Sequence, residues 1–143
     1  MESYLFKAII LSFYLYSSLI SAQNGKILEK QSMLLSDSTI SILQKADPEL
    51  AKAINHVEFY EITYLSDSLK VKGFFVKPSE KGDFPCIISN SEGIGDFSKW
   101  NEVGIDFFLG KLASWGYVVV ASQYRGTEGG EGLDENASYK HEI

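Results

Sequence analysis

The chain has 143 residues, with 19 acidic against 13 basic side chains and a formal net charge of −6 at pH 7. An acidic chain without a basic run repels phosphate backbones, which argues against nucleic acid as a partner. Its single cysteine, Cys86, excludes an internal disulfide, and no cysteine–histidine pair has metal-site spacing, so we expect no metal and no other cofactor. We expect Cys86 itself to be a small buried core residue.

The first 22 residues have the pattern of a secretory signal peptide. Lys7 precedes an apolar stretch at 8–20, and Ala22 is a small residue at a suitable cleavage position. The apolar stretch is shorter than the roughly 20 residues that a membrane span needs. We therefore expect cleavage after Ala22, export to the periplasm or the extracellular space, and no stable membrane span afterwards. An uncleaved anchor and an ordinary buried helix stay open as alternatives.

Residues 23–56 are predicted to form an amino-terminal arm. Residues 23–45 are weakly patterned, which predicts a loose, partly extended segment. Asp47 is a suitable N-cap and Pro48 suits the first position of a helix. The sequence therefore predicts one short helix over 49–55.

Two strand-like runs, 58–65 and 69–77, open the remaining domain, residues 57–143. The polar residues 66–68 separate the two runs, which predicts a hairpin of antiparallel strands. Pro78 ends the second run because it cannot donate a hydrogen bond to a neighbouring strand. Alternate residues of a strand lie on the same side of it. In the first strand these are Tyr60, Ile62 and Tyr64, and in the second they are Leu69, Val71, Gly73 and Phe75; we call these two sets the predicted stripes.

A strand–helix–strand unit follows the hairpin. Residues 86–90 and 117–121 are short apolar runs without alternation, which is typical of strands buried on both faces. Between them a helix is predicted to begin after Asn101 and to end at Gly116. Its apolar residues recur at helical spacing and predict one buried stripe: Ile105, Phe108, Leu109, Leu112 and Trp115. The fold class is therefore α/β, an antiparallel hairpin followed by a parallel βαβ unit with a right-handed crossover.

Ligands of open parallel sheets bind beyond the carboxyl ends of the strands. Two loops qualify by this rule, residues 90–95 and 123–132. The first loop is close to a dinucleotide fingerprint, since Gly93 and Gly95 precede a predicted helix. The third glycine of that fingerprint is Ser98 here, and no acidic residue for a ribose follows the next strand, so a nucleotide-binding domain is the weaker interpretation.

Two stretches, YEITYLSDSLKVKGFFVKPSEKGDFPCIISNSEG and LASWGYVVVASQYRGTEGGEG, resemble the start of the catalytic domain of the prolyl oligopeptidase family. These are α/β-hydrolase serine peptidases that include dipeptidyl-peptidase-like and acylaminoacyl-peptidase-like enzymes. The resemblance covers roughly residues 57–135. Its most specific element is the loop Tyr124-Arg125-Gly126 after the fourth strand of that fold. Further matches are Gly129, Gly130 and Gly132 in the same loop, and Lys72-Gly73-Phe74 in the hairpin.

The resemblance implies a partial α/β-hydrolase sheet and an oxyanion hole in the loop after the third strand of that fold. The backbone N–H groups of Ser91 and Glu92 are then the candidate donors, although Glu92 stands where the family usually has glycine. Tyr124, Arg125 and Gly126 would form a structural loop. The partners expected for Arg125 are Glu128, Asp134 or Glu135.

The elements of a catalytic triad are not found in the sequence. No Gly-x-Ser-x-Gly string occurs, and the histidines are His56 and His141. Because the family places its serine, acid and histidine further downstream, we expect the front fragment of an exported serine hydrolase that is inactive alone. A full-length relative would cleave peptides or small esters. The alternative is a non-catalytic exported module whose sheet edge and apolar faces are covered by a binding partner.

Overall fold

The computed structural model describes residues 24–90 and 99–133, so the predicted signal peptide lies outside the described ranges. The elements in chain order are β1 (Ile27–Met33), α1 (Asp37–Ala46), α2 (Pro48–Ala53), a 3-10 turn (Ile54–His56), β2 (Val57–Ser66), β3 (Leu69–Pro78), β4 (Cys86–Asn90), a crossover helix in three segments (Glu102–Gly104, Ile105–Leu109 and Gly110–Ser114), and β5 (Val118–Ser122). None of the described helices has the length and apolar content needed to cross a bilayer.

The described strands form one mixed five-stranded sheet in the order β1-β2-β3-β5-β4, and with its helices it is an α/β fold. β4 and β5 run parallel, whereas every other neighbouring pair is antiparallel. The predicted hairpin and the predicted parallel βαβ unit are thus both confirmed. β5 lies between β3 and β4, so the crossover helix carries the chain from the edge of the sheet back to its interior.

The hairpin turn is tight because two residues adopt left-handed backbone angles. Asp67 has φ 49° and Ser68 has φ 68°, the conformation that a two-residue hairpin loop requires. The register on either side places Tyr64 opposite Val71 and Tyr60 opposite Phe75. The predicted stripes therefore share one face of the sheet.

The arm is more ordered than the sequence predicted. Residues 27–33 form β1, which pairs antiparallel with β2, and α1 begins at Asp37, where Ser36 is the N-cap. The expectation of a loose segment over 23–45 was wrong for these residues. Six of the seven β1 residues are exposed, so no apolar alternation marks the strand in the sequence. The predicted short helix is confirmed as α2, with the Asp47 side chain accepting a hydrogen bond from the backbone N–H of Leu50 at 3.0 Å.

The core lies between the helices and one face of the sheet, which we call the helix face. That face presents Phe59, Phe74, Val76, Val119 and Ala121 to the helices. The apolar residues that the helices contribute are Leu43, Leu50, Ile54, Ile105, Leu109 and Ala113.

Gly110 lets the crossover helix approach the sheet closely. A Cβ at this position would lie 2.9 Å from Ile54 Cδ1 and 3.0 Å from Phe59 Cζ. Substitution by any larger residue would therefore push the helix away from the core.

The crossover helix departs from the predicted apolar stripe. It is capped by Asn101, whose Oδ1 accepts a hydrogen bond from the backbone N–H of Gly104 at 2.8 Å, but its middle segment, Ile105–Leu109, is π-helical. The wider π turn rotates the residues that follow it relative to an α-helix. Ile105 and Leu109 are buried as predicted, whereas Phe108 is 53% exposed and Trp115 is 63% exposed.

The opposite side of the sheet, the second face, has a different environment. Side chains alternate along a strand, so Tyr60, Phe75, Val120 and Ile88 point away from the helices. The prediction that β4 is buried on both faces was wrong within the described residues, since Ile88 is 76% exposed. Cys86 is also exposed rather than buried. Both differences arise because β4 is an edge strand and the described helices cover the helix face only.

Candidate functional site

The carboxyl ends of the parallel strands β4 and β5 lie side by side. Asn90, the last residue of β4, is the register partner of Ser122, the last residue of β5. Strand ends of this kind are where open α/β sheets bind ligands. The predicted oxyanion donors Ser91 and Glu92 follow Asn90 directly and lie outside the described residues.

Gln123 links this edge to the start of the crossover helix. Its buried side chain accepts a hydrogen bond from the Trp100 backbone N–H at 3.0 Å and donates one to the Trp100 carbonyl oxygen at 3.1 Å. Its own backbone N–H donates to the Lys72 carbonyl oxygen at 3.0 Å. Ser122 is thus paired with Asn90 at the end of β4, and Gln123 is bound to Trp100, the residue before the N-cap of the crossover helix.

The sequence did not identify Gln123 as a site residue. Its position was noted only because an acidic residue that could bind a ribose is not found there. A polar residue directly after a buried strand was the signal that could have identified it. The amide has both an acceptor and donors, which suits it to bind one backbone N–H and one carbonyl of the same residue.

The hydroxyl groups of Tyr64 and Ser122 are hydrogen-bonded to each other on the second face. The Tyr64 hydroxyl lies 2.6 Å from Ser122 Oγ, and the Ser122 hydroxyl donates to the Gln123 carbonyl oxygen at 2.7 Å. Since Ser122 uses its proton on Gln123, Tyr64 is the donor in the first bond. Gly73 makes room for this, because a Cβ there would lie 3.4 Å from Tyr64 Cε1 and 2.6 Å from the Ala121 carbonyl oxygen.

The glycine-rich loop 123–132 is compact and bound to the hairpin. The backbone N–H of Thr127 donates to the Tyr124 carbonyl, and that of Gly130 to the Thr127 carbonyl. The loop then returns to β3, where Glu131 N–H donates to the Lys70 carbonyl oxygen at 2.7 Å. The Glu131 carboxylate in turn accepts from the Lys70 N–H at 2.9 Å.

Several loop glycines are explained by backbone conformation. Gly126, Gly129 and Gly132 have φ of 74°, 82° and 99°, a region that residues with a Cβ rarely adopt. The glycines thus let the loop turn back on itself within ten residues.

Arg125 binds the hairpin turn and not the predicted partner Glu128. Its guanidinium forms an ion pair with Asp67 and donates to Ser66 Oγ at 2.9 Å. Glu128 instead pairs with Lys99 at 3.4 Å, and the other predicted partners, Asp134 and Glu135, lie outside the described residues. The Arg125 guanidinium, with a further hydrogen bond from Asn24, holds the pKa of Asp67 below its ordinary value.

Asp106 is a buried carboxyl group that sequence reasoning did not identify. It is 1% exposed, and its Oδ2 has no hydrogen-bond partner among residues 24–90 and 99–133. Burial, and secondarily the Glu102 carboxylate one turn earlier, raises the pKa of Asp106 to about 7. Hydrogen bonds from Ser36 and Thr39, at the start of α1, lower the pKa of Glu102.

The chain is similar to a protein of Bacillus subtilis (strain 168) named "Uncharacterized peptidase YtmA". The two are 38% identical over 87 residues, which cover 61% of this chain and 32% of the relative. The chain thus spans about a third of the length of this relative. No family model matches the chain, and no solved structure matches it.

The described part of the site offers hydrogen-bonding groups and no paired nucleophile and base. The Ser122 hydroxyl is bound to Tyr64 and to the Gln123 carbonyl, and His56 precedes β2 at the opposite end of the sheet. Within the described ranges, no three histidine, cysteine, aspartate or glutamate side chains are grouped so as to hold a metal ion.

Two surface clefts lie at the other end of the molecule. The larger, about 320 Å³, lies between α2 and the crossover helix and is lined by residues that include Asp47, Lys111 and Trp115. The smaller, about 140 Å³, includes His56 and Ser114 in its lining. Both open near the amino ends of β4 and β5, so neither belongs to the site at the carboxyl ends.

Proposed function

We propose that this chain is the front part of an exported serine hydrolase of the α/β-hydrolase class, a peptidase or esterase related to the prolyl oligopeptidase family. The similarity over 87 residues to a protein named as a peptidase carries the proposal. The mixed sheet supports it, because a hairpin joined to a parallel βαβ unit is what the resemblance implies. The Ser-His-Asp triad lies beyond residue 143 in this account, and a full-length relative cleaves peptides or small esters.

The oxyanion hole is proposed at the backbone N–H groups of Ser91 and Glu92. Donors of this kind stabilise a tetrahedral intermediate only when they are held in place before the reaction. Asn90, the residue before Ser91, ends β4 and is paired with Ser122 of β5, which supports this assignment. Tyr124, Arg125 and Gly126 are assigned a structural role that joins the loop to the hairpin turn.

The domain organisation belongs to the same proposal. Residues 1–22 are the signal peptide that directs export, residues 23–56 are the amino-terminal arm, and residues 57–143 are an incomplete hydrolase domain. The location is the periplasm or the extracellular space.

The serine-hydrolase proposal is tested with a fluorophosphonate probe, which reacts covalently with activated serine. We expect the isolated 143-residue chain to remain unlabelled, since the nucleophile is outside it. Reading the coding DNA past Ile143 should show a Gly-x-Ser-x-Gly string in the same frame. Stoichiometric labelling of the isolated chain, or a long downstream frame without that string, would contradict the proposal.

A non-catalytic binding module is the second candidate. The observation in its favour is Ile88, which is 76% exposed on an edge strand of the described sheet. A chain that melts cooperatively as a monomer without any partner would argue against this candidate. The nucleotide-binding interpretation has less support, because the side chains of Ser122 and Gln123 are already bound within the protein at the position where a ribose-binding acid would be needed.

A further inference from the structure

Asn24 is the one asparagine of this chain that is followed by glycine. The other four asparagines precede a histidine, a serine, a glutamate and an alanine, at positions 56, 91, 102 and 137. The backbone nitrogen of the next residue can attack the side-chain amide carbon of an asparagine, and a glycine nitrogen does so most readily because no Cβ obstructs its approach. Asn24-Gly25 is therefore the pair at which the sequence is most open to deamidation, the loss of the side-chain amide as ammonia.

In the folded chain, hydrogen bonds hold both reacting groups of this pair. Asn24 Nδ2 donates to Asp67 Oδ1 at 3.1 Å, and Asn24 Oδ1 accepts from the Asp67 backbone N–H at 2.6 Å. The Gly25 backbone N–H donates to the Leu65 carbonyl oxygen at 2.7 Å, and the Leu65 N–H donates in turn to the Lys26 carbonyl oxygen at 3.0 Å. The attacking nitrogen must lose its hydrogen, and the amide must turn towards it. Neither group is free to react while these bonds are intact.

We propose that Asn24 is a modification site that the hairpin turn keeps unreactive and that reacts when residues 24–26 separate from β2. The Gly25 nitrogen then bonds to Asn24 Cγ, its proton passes to the departing amide nitrogen, and ammonia leaves behind a cyclic imide, the succinimide. Water adds to one of the two succinimide carbonyls and opens the ring to aspartate or isoaspartate. Residues 24–26 are exposed, so water reaches this ring.

The product releases the start of the arm from the hairpin turn. A carboxylate at residue 24 cannot donate to Asp67 Oδ1, and it places a second negative charge beside the Asp67 carboxylate. In isoaspartate the main chain also passes through the former side chain, which displaces the groups that bind Asp67. The ion pair between Arg125 and Asp67 does not involve Asn24, so the glycine-rich loop stays bound. Because neither product returns to asparagine, the site is a one-way switch confined to the arm.

The rate of deamidation is the first test. The 143-residue chain is kept in mildly alkaline buffer, either folded or unfolded in concentrated urea, and peptide mapping by mass spectrometry follows the replacement of NH₂ by OH at residue 24. We expect the folded chain to react at least about tenfold more slowly, since only the fraction of molecules with an open arm can react.

Two turn variants test the role of Asp67. Asp67→Gly removes the carboxylate acceptor and tolerates the φ of 49°, and it should speed the reaction of the folded chain roughly three- to tenfold, the factor expected for one hydrogen bond. Ser68→Gly is the matched control, because Ser68 is the other turn residue with positive φ and its side chain does not bind Asn24. It should change the rate by less than about twofold.

Asn24→Asp reproduces one product without the reaction. Hydrogen exchange of this variant should be faster at the backbone amides of Gly25 and Leu65, by roughly threefold or more, and unchanged at Gly130 in the glycine-rich loop. Asn55→Asp is the control, since it makes the same change of charge at an exposed asparagine elsewhere in the arm.

Each measurement can overturn the switch. Equal rates in the folded and the urea-unfolded chain would show that the fold does not protect Asn24, and equal effects of Asp67→Gly and Ser68→Gly would show that Asp67 does not hold it. Exchange at Leu65 that is the same in Asn24→Asp and Asn55→Asp would show that the product does not release the arm. Slow reaction of the folded chain, acceleration by Asp67→Gly alone and faster exchange in Asn24→Asp together support the proposal.

Discussion

At the scale of single residues, the side chains that organise the candidate site are polar groups with several partners. Gln123 binds the backbone of Trp100 twice, and Ser122 connects Tyr64 to the Gln123 carbonyl. The contacts of Gln123 with Trp100 and of Ser122 with Tyr64 join residues that are 23 and 58 positions apart in the sequence. The position after a buried strand can single out such a residue, but it does not predict the partner, because an amide or a hydroxyl there has the same sequence whether it faces solvent or a backbone group.

Gln123→Leu should destabilise the fold. The substitution removes two part-buried hydrogen bonds and leaves the backbone N–H and carbonyl of Trp100 without these partners, which costs about 1–3 kcal/mol. Urea denaturation followed by circular dichroism measures the change in the free energy of unfolding. Gln44→Leu is the control on the exposed surface of α1 and should change stability by less than about 0.5 kcal/mol. Equal midpoints for the two variants would contradict the role given to Gln123.

Gly73→Ala should also be costly, for a steric reason. The added Cβ would lie 2.6 Å from the Ala121 carbonyl oxygen, which is backbone of the neighbouring strand and cannot rotate away. We expect a loss of about 1–3 kcal/mol together with a weaker Tyr64–Ser122 bond. Gly104→Ala is the matched control, since Gly104 is helical and its Cβ would meet Asn101 Oδ1 at 3.4 Å. If thermal unfolding showed Gly73→Ala to be as stable as the unsubstituted chain, the close packing at β5 would be disproved.

At the scale of elements, the sequence predicted those helices and strands that carry a clear apolar pattern or a capping residue. The hairpin, the parallel βαβ unit and α2 were predicted because alternation, apolar runs and caps mark them. β1 was missed because it is exposed on nearly every residue, and α1 was missed because burial along it is limited to Thr39 and Leu43. The π-helical segment is not encoded by any simple repeat, so the predicted stripe was wrong at Phe108 and Trp115.

The pH dependence of stability should reflect Asp106 in the crossover helix. Its folded-state pKa is raised to about 7, from 3.8, so the folded protein retains a proton that the unfolded chain has released. The contribution of Asp106 to the free energy of unfolding is therefore highest at low pH. It falls between about pH 4 and pH 7, by up to roughly 1.4 kcal/mol per pH unit.

Asp106→Asn removes the titration and should flatten the stability profile over that interval. Urea midpoints measured at several pH values between 4 and 8 test this, with Asp37→Asn on the exposed surface of α1 as the control. A slope that persists unchanged in Asp106→Asn would show that another group is responsible.

At the scale of the whole molecule, the described helices cover one side of the sheet, whereas the other side is exposed at its β4 edge. The helices cover Phe59, Phe74 and Val119 on the helix face, whereas Ile88 on the second face is in contact with solvent within the described part of the chain. The sequence predicted the class of sheet but not which face the helices would cover, because β4 and β5 are apolar on both sides. Strand order decides this, and strand order depends on contacts between distant segments.

If this chain is the front part of a serine hydrolase, a probe for activated serine distinguishes it from the longer product of the same reading frame. The chain of 143 residues and the product of its natural reading frame extended past Ile143 are each treated with a fluorophosphonate probe and weighed by intact mass spectrometry. We expect one adduct per molecule on the extended product, at the serine of a Gly-x-Ser-x-Gly string, and none on the 143-residue chain. An unlabelled, folded extended product, or an adduct on the short chain, would contradict it.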